Sequence, residues 1–453
     1  MGTIKDKIKA YEKSEQRQRY IVGEKYYDVD NVTISNRKFE TAYGGKANSE
    51  GRFNIVRKEN IYKANNKVAS GYYPLLIDQK IDYLLGNGIT FDDMDETTFD
   101  TYFGEWFQSL LQECARGSAT KGLYYAFPYI EDNEFKLQLV APESLILDKD
   151  MWGNVTKAYR FDTFEYKEGS TTKTGYIVQV WDKETVQVYE IKGNEEKLIE
   201  EKAQIQQTIK YGTGETIVEG TNSWGRVPFI PLMNNSKELY DLKRIKPLID
   251  AYDIVNSDFA NNLEDFQDIF WIIKNYNGTN LDSFLKEVKD LKVLNVGQDG
   301  DAKAETIETP HEARSKFLEI TDRNIFKFGQ GLDVDLLSGS SLTNVAIKAR
   351  YSNLDLKSKN FETFVTKFIK DYSYFAGIHA NKTFEVTPQY DRSMIINENE
   401  NLEANAKQMG AISEETRLTN HVWVEDVEKE MEQIAKEKET AINMFDTGEI
   451  NGD

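Results

Sequence analysis

The sequence predicts an α+β protein with more than one lobe. Three observations carry this reading. Between residues 122 and 231 apolar and polar residues alternate, as in half-buried strands. After Pro231 apolar residues recur every three or four positions, as along one side of a helix. The 453 residues also exceed what one ordinary core encloses.

The first 70 residues are polar, with short helical stretches and a loop around Ala42–Gly51. From Gly71 a helix is expected, because Leu75, Leu76, Ile81, Tyr83 and Leu84 fall on adjoining faces and Gly86 and Gly88 end it. A second helix is expected over Thr98–Ser118, where Phe99, Tyr102, Phe103, Trp106, Phe107, Leu110 and Leu111 keep helical spacing. Tyr124–Ile130 and Phe135–Val140 read as strands. Tyr176, Val178 and Val180, then Val186 and Val188, flank Asp182–Thr185 as a hairpin. Pro228 and Pro231 close this region.

Residues 242–266 form one long amphipathic helix, with apolar groups from Leu242 and Ile245 through Phe259 and Leu263 to Phe266. A small mixed insert follows at 269–310: a strand at Ile269–Lys274, a helix at Leu281–Leu291, and strands around Val293–Val296 and Ala302–Ile307. Glu312–Phe328 is helical again. A Gly/Ser-rich break at 329–341 precedes the strongest helix, whose stripe runs Phe361, Phe364, Val365, Phe368, Ile369, Tyr372 and Phe375. The remainder holds a strand near Thr383–Thr387 and helices at about 398–410 and 424–440.

Composition narrows the function. No apolar run reaches the roughly 18 residues of a spanning helix, and the Lys- and Glu-rich start lacks the apolar centre of a signal peptide. A cytoplasmic origin is therefore expected. The single Cys114 reads as a core residue, and His311, His379 and His421 are too scattered for a metal site. The net charge is −20, of which residues 382–453 contribute −10 (7 basic against 17 acidic). A protein that grips DNA by neutralising phosphates would be basic, so this chain either ignores DNA or handles it without adhesion. There is no phosphate loop, HExxH, GxSxG or CxxC, and Gly212-Thr-Gly214 reads as a turn. No enzyme class gains support, and no cofactor is expected.

Five strings in order carry a resemblance. They are GYYPLLIDQKIDYLLGNGITF (71–91), LVAPESLILDKDMWGNVTKAYRFD (139–162), RVPFIPLMNN (226–235), LSGSSLTNVAIKARYSNLDLKSKNFE (337–362) and MGAISEETRLTNHVWVEDVEKEMEQIAKE (409–437). Together with the order of long helix, small insert, helix, Gly/Ser-rich loop and very long helix, they resemble the portal proteins of long-tailed phages of Gram-positive bacteria. The resemblance implies a portal fold divided as N-terminal wing (1–235), stem helix (236–268), clip (269–310), second stem helix (311–332), tunnel loop (333–345), long wing helix and strand (346–397), and acidic crown and tail (398–453).

It further implies a ring, generally of twelve subunits, at one capsid vertex of the virion, assembled in the host cytoplasm. Double-stranded DNA would pass through it without sequence-specific contacts. Partners would be the terminase large subunit, a head-completion or adaptor protein, and the major capsid and scaffold proteins, with no membrane. A head–tail adaptor or scaffold without a channel is the alternative, and a DNA-processing enzyme a more distant one.

Candidate residues follow. Asp250, Asp253, Ser257, Asn261 and Glu264 form a polar stripe opposite the apolar face of the 242–266 helix; repeated around such a ring it would make an acidic channel wall that repels phosphates, and an ordinary solvated face is the other reading. Asp333, Asp335, Ser338, Gly339, Ser340 and Ser341 fall in the tunnel loop. Lys348 and Arg350 just beyond it would meet phosphates or pair with Asp333 and Asp335. In the clip, Trp271 and the basic Lys286, Lys289 and Lys292 would meet the motor and adaptor, although Trp271 also reads as part of a buried strand.

Overall fold

The computed structural model describes residues 2–38, 40–43, 56–59, 64–92, 94–210, 216–265, 270–274, 301–305, 311–337, 343–394, 398–419, 421, 423–424 and 426–446. The chain divides into two compact units. One comprises Met1–Gly331 with Leu356–Arg392, the other Leu332–Asp355 with Ser393–Asp453.

The larger unit opens with helices α1 (Ile4–Glu12), α2 (Glu15–Tyr27) and α3 (Val32–Ser35). Thr3 and Asp6 form a reciprocal capping box at α1, and Ser14 caps α2 by accepting from the Arg17 amide. An antiparallel pair, β1 (Glu40–Tyr43) and β2 (Val56–Glu59), follows. The expected helix after Gly71 is α4 (Tyr72–Leu85), and the short strand β3 (Ile89–Thr90) comes next.

The single helix expected over Thr98–Ser118 is two, α5 (Glu96–Phe103) and α6 (Glu105–Lys121). Gly104 breaks the run in an extended conformation that starts α6. A Cβ there would lie 2.6 Å from the Asp100 carbonyl oxygen, so periodicity continues through a bend that only glycine fits.

Strands β4 (Leu123–Glu131) and β5 (Glu134–Val140) pair as expected, and β13 (Ile230–Met233) joins β4 on its other edge. A second sheet has the order β10-β9-β8-β7-β6, from β6 (Leu145–Lys149), β7 (Val155–Glu168), β8 (Thr171–Trp181), β9 (Thr185–Lys192) and β10 (Glu195–Ala203). The predicted β8–β9 hairpin is closed by Asp182, whose carboxylate accepts from the Glu184 and Thr185 amides. Strands β11 (Ile205–Lys210) and β12 (Thr216–Asn222) form a separate pair. Gly212 and Gly214 between them lie outside the described residues.

The alternation along β4 sorts side chains between two cores. Leu123, Tyr125 and Phe127 pack with Ala158, Trp181 and Val186 of the five-stranded sheet. Ala126 faces the main cluster, formed with α4, α6 and the helices beyond residue 240. On the five-stranded sheet a third cluster buries Ile8 of α1 against Phe161, Tyr176 and Ile191.

The amphipathic 242–266 segment is α7 (Leu242–Asp265). Within the insert, β14 (Phe270–Lys274) pairs antiparallel with β15 (Asp301–Glu305). The helix and strand expected at 281–296 lie outside the described residues. Helix α8 (His311–Gly329) returns along α7, and α9 (Asn344–Ala380) is the longest helix described. Its residues Phe361, Val365, Phe368, Ile369 and Tyr372 are buried, each contributing about 1.5–3 kcal/mol.

The strand expected at Thr383–Thr387 does not form. Phe384 packs edge-on to Phe103 and Val386 is buried, so this stretch docks through side chains. Only β16 (Gln389–Tyr390), just beyond it, finds a partner, in β3.

The smaller unit contains a 3-10 turn (Val334–Leu337), the first turns of α9, and helices α10 (Glu398–Lys407), α11 (Glu414–Thr419) and α12 (Val427–Asp446). At the start of α9, Asn344 bonds to Glu400 and Asn401 of α10. Arg417 grips Glu414 with two nitrogens, at 2.7 and 3.2 Å, and reaches Asn405 at 2.9 Å, tying α11 to α10 within this acidic segment.

Candidate functional site

The two long helices α7 and α8 are rooted in the larger unit by a buried charged node. Lys80 of α4 projects into the core, where its ammonium donates to Asn234 at 2.5 Å and to Asp241 at 3.2 Å. Lys357 of α9 reaches the same Asp241 oxygen at 3.1 Å and the Gly329 carbonyl, at the end of α8, at 2.9 Å. Asn234 donates to the other Asp241 oxygen at 2.7 Å. Burial pushes Lys80 down to about 8, against the pull of Asp241. Burial also opposes ionisation of Asp241, but Lys357 and Lys80 overcome it and hold the carboxyl well below the usual carboxylate range. One carboxylate therefore fixes α4, the start of α7, the end of α8 and the middle of α9. Sequence analysis missed this node. Its signal was Lys80 itself, set among the apolar Leu76, Ile77, Ile81 and Leu84.

A second contact crosses from α4 to α8. The Tyr72 hydroxyl donates to Asp322 at 2.5 Å, and its ring meets Tyr252 and Phe326 edge-on. Burial drives the Tyr72 phenol well above its ordinary range, so it stays protonated and able to donate here.

The polar stripe on α7 is only partly a solvated face: Glu264 is exposed, whereas three of its residues turn inward. Asp253, Ser257 and Asn261 are buried against residues 64–70 of the same chain. The Ser70 amide donates to Asp253 at 3.0 Å, the Val68 amide to Ser257 at 3.0 Å, and the Asn66 amide to Asn261 at 2.6 Å. Alternate amides of an extended segment thus meet every fourth residue of a helix. The match follows from geometry, since four helical residues rise about 6.0 Å and two extended residues about 6.6 Å. Asp250 is held by Lys246 at 2.6 Å and by the Tyr26 hydroxyl, and Glu264 accepts from the Asn66 side chain at 2.7 Å. Asp253 also accepts from Asn31 at 2.5 Å, and burial raises its carboxyl above the usual value. These five residues bind the chain to itself.

The exposed apolar residues of the long helices lie elsewhere. Phe317, Ile320 and Phe328 of α8 are 42%, 47% and 50% exposed, and their spacing puts them along one face. Leu263 of α7 is exposed as well.

Of the residues expected in a tunnel loop, Asp333 accepts from the Asp335 amide at 3.1 Å and so starts the 3-10 turn. Ser338, Gly339, Ser340 and Ser341 lie outside the described residues. Lys348 is exposed on α9 and forms no ion pair among the described residues. Arg350 is partly buried, and its buried Nη1 has no hydrogen-bond partner among them. Trp271 sits in β14 opposite Ala304. Lys286, Lys289 and Lys292 lie outside the described residues. Among the described residues no group of three or more His, Cys, Asp or Glu is placed to hold a metal, and no helix is long and apolar enough to cross a membrane.

Long paired helices joined through a strand pair and rooted on a charged node make a structural scaffold. The chain belongs to the phage portal protein family of the SPP1 Gp6-like type, which it matches over residues 6–444. It is 30% identical over 412 residues to the portal protein of Clostridium phage phiCD119, covering 84% of this chain and 87% of that one. It is 27% identical over 400 residues to the portal protein of Bacillus phage SPP1, covering 83% and 76%. The neck of a native GTA particle, computed with C12 symmetry, is similar at a TM-score of 0.41 and 9% identity over 77% of this chain and 90% of that one. The family is structural, and its members are virion components.

Proposed function

We propose that this chain assembles into a ring, of twelve subunits by the family's habit, at one vertex of a phage capsid. The ring is the channel for double-stranded DNA during packaging and ejection, and it docks the terminase and the head–tail connector. Membership of the portal family along nearly the whole chain carries this reading. The exposed apolar face of α8 supports it, because a helix that leaves Phe317, Ile320 and Phe328 in water gains by burying them against a neighbouring copy.

In this reading α7 and α8 are the stem, the β14–β15 insert is the clip, and the segment from Leu332 into α9 is the tunnel region. The clip, with Trp271 and Lys286, Lys289 and Lys292, meets motor and adaptor in turn. Lys348 and Arg350 supply weak, repeated phosphate contacts beside the tunnel loop, compatible with sliding in a chain of net charge −20. Electron micrographs of the purified protein averaged down the particle axis test the assignment. A ring with an open centre is expected; compact particles without rotational symmetry would overturn it.

A further inference from the structure

We propose that residues 66–70 form a releasable strap on α7, opening as one unit while the root of the helix stays closed. The inference rests on contacts within one chain and stands whether or not the ring does.

The strap is held to α7 by a row of polar bonds. Its Asn66, Val68 and Ser70 amides end on side chains of Asn261, Ser257 and Asp253, and none of its own residues is fully buried. Val68 is its largest apolar residue, and it remains partly exposed. An extended segment in a sheet bonds to a partner backbone that is itself pinned. Here the acceptors are side chains; those of Ser257 and Asn261 can turn towards water once their amides leave, while Asp253 keeps its bond from Asn31.

The seam is also incompletely satisfied. Asn31 Oδ1, Asn65 Oδ1, Ser70 Oγ and Asn261 Nδ2 are buried without a hydrogen-bond partner among the described residues. Unmet donors and acceptors favour entry of water, which competes for the same groups. The root node provides the contrast. None of the buried polar atoms of Lys80, Asn234, Asp241 or Lys357 lacks a partner, and apolar residues such as Leu242 and Ile245 surround it. The two polar contacts of α7 therefore differ in kind: among the described residues the root has its buried polar atoms partnered, and the seam does not.

The three rungs are coupled, because moving one amide off the helix drags its neighbour two residues away. Opening bares Asp253, Ser257 and Asn261 as a row of acceptors along α7. The outer half of the helix then has two states, strapped and free, while its start stays fixed.

Hydrogen exchange of the full-length protein, resolved to single residues, tests this. The amides of Asn66, Val68 and Ser70 are expected to share one rate, slower than those of Lys67 and Ala69 but far faster than the core amides of α4. Ser257→Ala is expected to raise all three by about five- to tenfold and leave α4 unchanged. Asn261→Ala provides a second variant with the same expected pattern. Acceleration of Val68 alone, strap amides as slow as α4, or strap amides with no protection would each overturn the proposal.

Discussion

Lys80 occupies the middle of the run LLIDQKIDYLL, where every neighbour on its face is apolar. A lysine there is tolerated only because Asp241 and Asn234 receive its protons and the Phe361 ring lies 4.1 Å beneath the ammonium. Asp241→Ala leaves Lys80 and Lys357 facing each other with no anion between them, and is expected to cost about 3–5 kcal/mol in chemical denaturation. The pH dependence has two parts. Asp241 is held below its ordinary value, so its contribution is complete above about pH 4 and fades as pH falls towards its lowered value. Lys80 is lowered from 10.5 to about 8, so between these values the unfolded chain binds more protons and stability rises with pH. Wild-type protein should show that rise, with a slope of at most about 1.4 kcal/mol per pH unit. Lys80→Met should lack it; equal slopes in the two proteins would remove Lys80 as the source.

Between elements, tight joints rest on glycine where no side chain fits. Gly122 ends α6 with φ of +96°, and a Cβ there would meet the Glu238 carbonyl oxygen at 2.3 Å. Its own carbonyl accepts from the Asn234 amide at 3.0 Å, so the turn also holds the segment that leads to the charged node. Gly122→Ala is therefore expected to destabilise the protein by about 2–4 kcal/mol, read as a lower denaturation midpoint. Apolar periodicity made α4, α7, α8 and the Phe361–Phe375 stripe of α9 legible in the sequence, because a face that recurs over several turns has one solution. It failed at Gly104 and at 383–387, where a bend and a side-chain anchor preserve the pattern without the element. The Asp253–Ser257–Asn261 stripe was legible as a face but not as a buried one. Polar residues four apart look the same towards water and towards a strap, and this strap lies about 190 residues upstream.

For the molecule as a whole, the family resemblance was readable from ordered strings, whereas the surfaces of assembly were not. Phe317, Ile320 and Phe328 sit in the same kind of heptad-like pattern that marks a core, and only the fold separates α8's buried Thr321 and Ile325 from its exposed face. At the proposed tunnel, the double substitution Lys348→Gln and Arg350→Gln should preserve assembly, since neither residue lies on the buried Phe361–Tyr372 stripe. It should slow DNA packaging or weaken retention in a salt-dependent way; packaging at the wild-type rate in low and high salt alike would assign both residues to local structure.

In the proposed assembly the chain closes into a ring through the apolar face of α8. Native mass spectrometry of the full-length protein, alone and carrying Phe317→Ser with Ile320→Ser, tests it most directly. Both positions are exposed, so the double variant should keep its fold while losing the contact. One dominant high multiple of 52.2 kDa is expected for the wild type and small species for the variant. A wild-type monomer of 52.2 kDa at every concentration, or a variant ring indistinguishable from wild type, would contradict it.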